Sequence, residues 1–287
     1  MIKKKEKMNC DLHTHTVHSD GSCSPRELVL LAKEKNLIIA LTDHNTTSGL
    51  SDFLSEAERE GVRAIGGTEL STEYGGKEFH LVGLFIDPEH YRAVETLCNE
   101  FIALKEISNL DLFEKLCDIG CPMDYMNIRA RNVKGNTNRA HFAAEMVKMG
   151  YAESVQDAFN RYLDVKIGLY VPPMRLGLLE AIEFLNSIGA VSVLAHPLKE
   201  IDADALRTML PELISVGLDA IETMHSSYTD EQIVLSKAIA REFGLLESGG
   251  SDFHGLVKPD VQLGVGKGNL NIPEEIYQKL LDRKNVK

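Results

Sequence analysis

Short apolar runs rich in Val, Ile and Leu alternate along this chain with longer stretches whose apolar residues recur every three or four positions. The runs at 8–13 (MNCDLH), 37–42 (LIIALT), 62–66 (VRAIG), 79–86 (FHLVGLFI), 190–195 (AVSVLA), 218–223 (LDAIET) and 245–248 (LLES) predict strands. Helices fit between them. One starts at Ser24-Pro25-Arg26-Glu27, with Ser24 as N-cap, Pro25 at the first position and Glu27 at the third, and runs to about Asn36. Others fit 47–60, 178–188, 203–216 and 230–243. Strands alternating with helices argue for an α/β fold built on parallel strands. From about 91 to 170 the pattern is helical throughout, with no convincing strand. That stretch reads as an all-helical insertion over 91–172, between a first barrel part at 1–90 and a second at 173–287.

The chain has 287 residues, 44% hydrophobic and 26% charged, which is ordinary for a globular protein. No apolar run approaches the roughly 20 residues of a membrane span. The start, MIKKKEKMNC, is basic but lacks an apolar stretch, so it reads as a solvated tail and not a signal peptide. The five cysteines are scattered without a CxxC, and Cys117 and Cys121 read as small apolar residues on a helix face. Such usage suits a reducing compartment, and the cytoplasm is the expected location. The net charge of −12 excludes a general attraction for long nucleic acid. An anionic substrate must therefore be drawn by a local positive site.

The candidate chemistry lies at the strand ends. In CDLHTHTVHSD, Asp11, His13 and His15 share parity and face one way. One HxH means little alone, but the pattern recurs: Asp43-His44 follows LIIALT, Glu69 follows VRAIGG, His196-Pro197 follows AVSVLA, and Asp252 and His254 follow LLESGG. His80 instead opens its strand, so the chain there returns antiparallel or is irregular. Six of the ten histidines thus sit at strand ends beside Asp20, Glu69 and Asp252. In a closed barrel such ends converge on one face, where active sites are built. Nitrogen and carboxylate donors without thiolates suit Mn, Fe or Zn. Nine donors exceed what one tetrahedral ion takes and are enough for two or three, with Glu69 bridging. Three divalent ions against three carboxylates would leave the pocket positive inside an acidic protein, able to bind phosphate.

Taken together, HTHTVHSDG, TDHN, Glu69, His80, AHP and GSDFH resemble the PHP (polymerase and histidinol phosphatase) superfamily, over essentially the whole chain. NRAHFAAEMVKMGY and AFNRYL followed by YVP resemble its branch that dephosphorylates nucleoside 3′,5′-bisphosphates and trims short RNA from the 5′ end. The resemblance implies a distorted seven-stranded (β/α)7 barrel with a helical insertion, and a trinuclear site. The ligands it implies are His13, His15, Asp20, His44, Glu69, His80, His196, Asp252 and His254. Asp11 and Asp43, next to ligands, are expected to orient imidazoles. Arg139 corresponds to the arginine that grips substrate phosphate. His225, after the strand ending in Glu222, is a candidate phosphate contact or leaving-group acid. The chain departs from the branch in offering only Lys105 where relatives often space arginines along a helix, and in carrying Tyr228 about where they often carry histidine.

The implied function is a metal-dependent phosphoesterase with two to three divalent ions, hydrolysing phosphate monoesters of small nucleotides through a metal-activated hydroxide, with short oligonucleotides as further substrates. A histidinol-phosphate-type phosphatase is the alternative within the class. An amidohydrolase on a similar barrel and a non-catalytic, metal-stabilised binding module are the readings outside it. His18, His90 and His141 read as ordinary polar residues. Gly249-Gly250 reads as a tight turn before Asp252. The pattern leaves the oligomeric state open.

Overall fold

The computed structural model describes residues 8–130 and 137–287. The basic tail at 1–7 and residues 131–136 of the helical stretch lie outside these residues. Seven strands form one sheet in chain order: β1 (Asn9–Asp11), β2 (Leu37–Leu41), β3 (Ala64–Tyr74), β4 (Lys77–Leu84), β5 (Val191–Leu194), β6 (Ala220–His225) and β7 (Leu246–Gly250). All neighbours pair parallel except β3–β4 and β4–β5, which are antiparallel. The chain beyond β1 then meets β7: Leu12 N donates to Gly249 O at 3.1 Å, Asp252 N to His13 O and His15 N to Phe253 O, each at 2.9 Å. The sheet is thereby nearly closed into an α/β barrel with helices around it.

Strand β2 shows why these runs became strands. All five residues of LIIAL are buried. Ile38 and Ala40 join a core cluster with Cys10, Leu12, Val193 and Ala220, while Leu37, Ile39 and Leu41 pack with Leu28, Phe53 and Ala57 of the helices outside. A strand buried on both faces needs this continuous apolar run. The helices α1 (Pro25–Glu34), α2 (Leu50–Glu60), α7 (Leu178–Ser187), α9 (Ala203–Ser215) and α10 (Asp230–Glu242) follow the periodicity. At α1 the capping box is present: Ser24 N donates to Glu27 Oε2 at 2.7 Å and Glu27 N to Ser24 Oγ at 3.3 Å. The reading of the sequence missed α11 (Glu274–Lys284), whose Ile276 and Leu280 join the same cluster as Cys10 and Leu12. Most strands shift by one or two residues from expectation, and two differ in ways that bear on the site. β1 stops at Asp11, so His13 and His15 lie beyond it. β3 continues to Tyr74, because the returning β4 supplies ladder partners to its polar second half.

Two compact units divide the chain, one comprising residues up to Glu95 together with Leu176–Lys287, the other Thr96–Arg175. The boundary falls inside α3 (Tyr91–Asp118). It lies later than residue 91 because the first turn of α3 belongs to the barrel: Tyr91 packs beside Phe53, and Glu95 accepts from Thr47 N at 2.5 Å and from Thr46 Oγ1 at 2.9 Å. The second unit holds the rest of α3 with α4 (Tyr125–Ala130), α5 (Arg139–Lys148) and α6 (Val155–Ala158), around a core of Leu112, Leu116, Phe142, Met146 and Leu163. Cys121 is buried there just past the end of α3, not on its face. No helix of the described residues is long and apolar enough to cross a membrane.

Gly249 and Gly250 close β7 and make no turn. Their small size serves the seam, since a Cβ on Gly250 would lie 2.2 Å from His13 Cβ and 2.6 Å from His13 N. Gly250→Ala is expected to push the chain beyond β1 away from β7 and to cost about 1–3 kcal/mol, typical of overpacking. Thermal unfolding with metal analysis would show a lower Tm and reduced metal content; a wild-type Tm would contradict the close approach.

Candidate metal centre

The barrel brings all nine sequence-derived candidates together. Four overlapping groups have one potential ligand atom per residue within 4.8 Å of the others: His15, Asp20, His44 and His254; His13, Glu69 and His196; His13, His15 and Asp252; and His44, Glu69 and His80. The reversal at β3–β4 explains how His80 takes part. Ser71 pairs with His80, so His80 shares a face with Glu69 and is diagonal to it. Because β4 runs backwards, the start of that strand lies where its neighbours end. Two candidates sit on left-handed backbone, His196 at φ 32° and Asp252 at φ 56°, and Asn45 at φ 53° follows His44. Such conformations cost on the order of 1–3 kcal/mol each and persist where the surroundings over-determine them. Here Glu222 Oε2 accepts from His196 N at 2.8 Å, and the seam bond from Asp252 N holds the other.

Glu69 is the centre of the arrangement. Its Oε2 lies 3.1 Å from His13 Nε2 and 3.2 Å from both His15 Nε2 and His44 Nδ1. Its Oε1 lies 2.9 Å from His80 Nδ1 and 3.2 Å from His196 Nε2. The carboxylate is 1% exposed. Yet Glu69 Oε2 and the nitrogens His13 Nε2, His15 Nε2, His44 Nδ1 and His80 Nδ1 make no aligned hydrogen bond. Buried polar atoms are rarely left so. Rings that close to a carboxylate but not aimed at it direct their lone pairs at shared points between the donors. That is the geometry divalent cations require, and hard oxygen with imidazole nitrogen is the donor set for them. The residues present fit such ions.

The electrostatics have the same origin. Burial holds His44 down to about 3 and also lowers His196. At His15 burial pulls the same way, but Asp252 and Glu69 outweigh it and hold the ring up at about 9. His80 is held at about 10, with Glu69 and Glu78 overcoming burial. His13, buried between Glu69 and Glu222, lies well above the ordinary range. Burial would raise Glu69 and Asp252, but the surrounding imidazoles hold both well below the usual carboxylate range.

Other candidates fall differently. His225 ends β6, is buried against the cluster, and places Nε2 3.5 Å from Asp252 Oδ2 while Nδ1 meets Ser227 Oγ at 2.7 Å. Arg139 opens α5 in the helical unit, where its guanidinium lies 4.4 Å from the Tyr170 ring centre and Nη1 donates to Leu163 O at 3.1 Å. Asp11 and Asp43 do not orient imidazoles. Asp11 accepts from Ser251 N, Ser251 Oγ and Gly264 N, and Asp43 from Thr16 N, Thr16 Oγ1 and Ser19 Oγ, so both fix the loops that carry candidate ligands. Orientation of a ring falls to Glu222, which the sequence reading missed: Oε1 lies 3.2 Å from His13 Nδ1. A glutamate amid the fully buried strand AIETMH was the available signal, since carboxylates are almost never buried unless paired. His18 lies outside the groups and pairs with Ser48 Oγ at 2.9 Å.

Comparison with known proteins places the chain in a family. The PHP domain model matches residues 11–171, over half of the chain. The chain belongs to the PHP-domain family. It is 32% identical over 246 residues to the 5′-3′ exoribonuclease of Haemophilus influenzae, covering 85% of this chain and 89% of that one. It is 29% identical over 259 residues to the 3′,5′-nucleoside bisphosphate phosphatase of Chromobacterium violaceum, covering 86% and 87%. Among solved structures, a presumed metal-dependent phosphoesterase from Bifidobacterium adolescentis superposes with a TM-score of 0.72 at 27% identity over 96% of both chains. A protein from Chromobacterium violaceum, named an amidohydrolase and solved with sulfate and no metal, superposes with 0.73 at 26% identity over 96% of both. This PHP protein is a metal-dependent phosphoesterase.

Two outcomes follow from the site. Glu222→Gln keeps the shape but removes the charge behind His13, and is expected to weaken metal binding by about 10–100-fold. Titration of the metal-free variant checks it, and unchanged affinity would remove Glu222 from the site. Secondly, His15 and His80 titrate near 9 and 10, so at pH 7.5 both carry protons that an incoming cation must displace. Metal affinity should therefore rise with pH up to about 10. Calorimetry in buffers of different ionisation enthalpy should detect the released protons; binding without release would contradict the assignment.

Proposed function

We propose that His13, His15, Asp20, His44, Glu69, His80, His196, Asp252 and His254 hold two or three divalent cations, Mn, Fe or Zn, with Glu69 shared between them. The substrate we propose is a small nucleotide, first a nucleoside 3′,5′-bisphosphate and then short oligonucleotides. The observation that carries this reading is the convergence of buried, unaligned imidazole nitrogens on Glu69. Similarity to an exoribonuclease and a bisphosphate phosphatase, each over about 85% of the chain, supports the nucleotide class. When bound, the cations would supply an activated water and neutralise charge on the phosphoryl oxygens.

The chain's own groups do the rest. Glu69 and Asp252 stay ionised and hold the imidazoles in place. Asp20, His44 and His80 are the more exposed members, with side chains 55%, 23% and 22% accessible, and so form the side from which substrate enters. His225 Nε2, buried and without a hydrogen-bond partner, is the donor we assign to the leaving oxygen. Arg139 is assigned to a substrate phosphate, for which a planar guanidinium is suited. The helical unit is assigned to substrate selection. Scattered cysteines without a CxxC support a reducing, cytoplasmic setting.

Purified protein assayed for metals per chain and for phosphate release tests this directly. Adenosine 3′,5′-bisphosphate should be hydrolysed faster than histidinol phosphate, and His44→Ala should lose more than about 100-fold in kcat/KM, beyond the loss typical of a supporting residue. Protein carrying two or three ions that releases no phosphate from the bisphosphate would sink the substrate assignment.

A further inference from the structure

A lysine also borders this site. Lys258 Nζ lies 2.7 Å from Asp252 Oδ2. Among the described residues, every other ion-pair contact of Asp20, Glu69, Glu222 and Asp252 is made by a histidine. The two oxygens of Asp252 face different surroundings. Oδ1 turns to the imidazoles, 3.3 Å from His15 Nε2 and 3.4 Å from His254 Nδ1. Oδ2 accepts from Lys258, and His225 Nε2 lies 3.5 Å from it without an aligned hydrogen bond. One bonded donor, Lys258, and one nearby unpartnered nitrogen, His225 Nε2, thus lie at one anionic oxygen on the edge of the cluster. His225 is buried, whereas the lysine side chain is 38% accessible, so this edge opens to solvent on the side of Lys258.

The root of Lys258 is fixed even though its head is mobile in principle. The residue follows the short turn Gly255–Val257. Leu256 N donates to Ser22 Oγ at 2.7 Å, and Ser22 N donates to His254 O at 3.0 Å. Gly255, at φ 64°, leaves no room for a side chain: a Cβ there would lie 2.2 Å from Ser22 Oγ. The turn is therefore latched to the loop that carries Asp20. From that root a four-carbon stem presents three rotatable donors to the mouth of the site. A phosphoryl oxygen offers the same anionic acceptor character as Asp252 Oδ2, so one arriving beside it can take over the hydrogen bond of Lys258.

We infer that Lys258 is a substrate-binding residue, which passes from Asp252 to a non-bridging oxygen of the bound phosphate while His225 faces the same group. This rests on the phosphoesterase site proposed above. It adds a positive group on the barrel itself to a chain whose net charge is −12, independent of any arginine in the helical unit.

The test is binding of inorganic phosphate to the metal-loaded protein by calorimetry, for wild type, Lys258→Ala, Lys258→Met and Lys258→Arg, with metal content and Tm measured on each. Loss of a charge-assisted hydrogen bond predicts about tenfold weaker phosphate binding in the alanine and methionine variants. Metal content and Tm should match wild type, and arginine should restore most of the affinity. Phosphate affinity equal to wild type in both truncated variants overturns the inference. So does a loss of metal in step with the loss of phosphate, since Lys258 would then only hold Asp252. Wild-type protein that carries its metals yet binds no phosphate would instead overturn the reading of the whole site, and this inference with it.

Discussion

A buried carboxylate ringed by imidazoles is the constraint on which this molecule turns. Glu69 has five histidines within 2.9–3.2 Å and almost no contact with water. An anion taken out of water must be matched by cations or by hydrogen bonds aimed at it, and isolated burial is prohibitive. Here four of the five rings are close but not aimed, and only His196 is hydrogen-bonded to the carboxylate. Without metal the balance can be struck only with protons, which is why His13, His15 and His80 are held above the usual imidazole range while Glu69 is held below the carboxylate range. The divalent cations proposed for this site would satisfy the same donors with more charge.

The barrel exists in a form that serves this carboxylate. Strand β3 runs on past its apolar half to carry Glu69, and β4 returns beside it to bring His80 onto the same face. Gly250 lets the chain beyond β1 close on β7, so that His13 and His15 arrive from one side of the seam and Asp252 and His254 from the other. Glu222 bridges His13 and the backbone of His196 from inside β6. Asp11 and Asp43 pin the loops on which candidate ligands ride. Left-handed backbone at His196 and Asp252 is tolerated because these bonds hold it, and the strain is confined to the site.

Legibility in the sequence followed the range of the forces involved. The run LIIAL, the cap Ser24-Pro25-Arg26-Glu27 and the amphipathic helices depend on neighbours a few residues apart, and all could be read directly. The nine candidate ligands were legible because each follows or opens an apolar run, and a barrel gathers such ends. Glu222 was missed because it stands inside a strand, where only its improbable burial marked it. The same limit applied to Asp11 and Asp43: proximity to a histidine in sequence suggested a bond to its ring, whereas the folded chain gives both carboxylates to backbone amides and hydroxyls of loops. Helix α11 was overlooked for lack of a following strand to frame it, although its apolar face completes the barrel core.

By itself the sequence determined the α/β alternation, the helical stretch in the middle of the chain and the inventory of nitrogen and oxygen donors, since local periodicity and residue chemistry encode these. Tertiary structure alone decided which donors share a point in space, that His80 joins through an antiparallel return, that Gly249-Gly250 serve a close seam and not a turn, and that Lys258 and His225 meet at one oxygen of Asp252. These depend on register and on how closely strands from opposite ends of the chain approach. A few tenths of an ångström decide whether a nitrogen aims at a carboxylate or at a cation beside it, and no pattern of residue types carries that information.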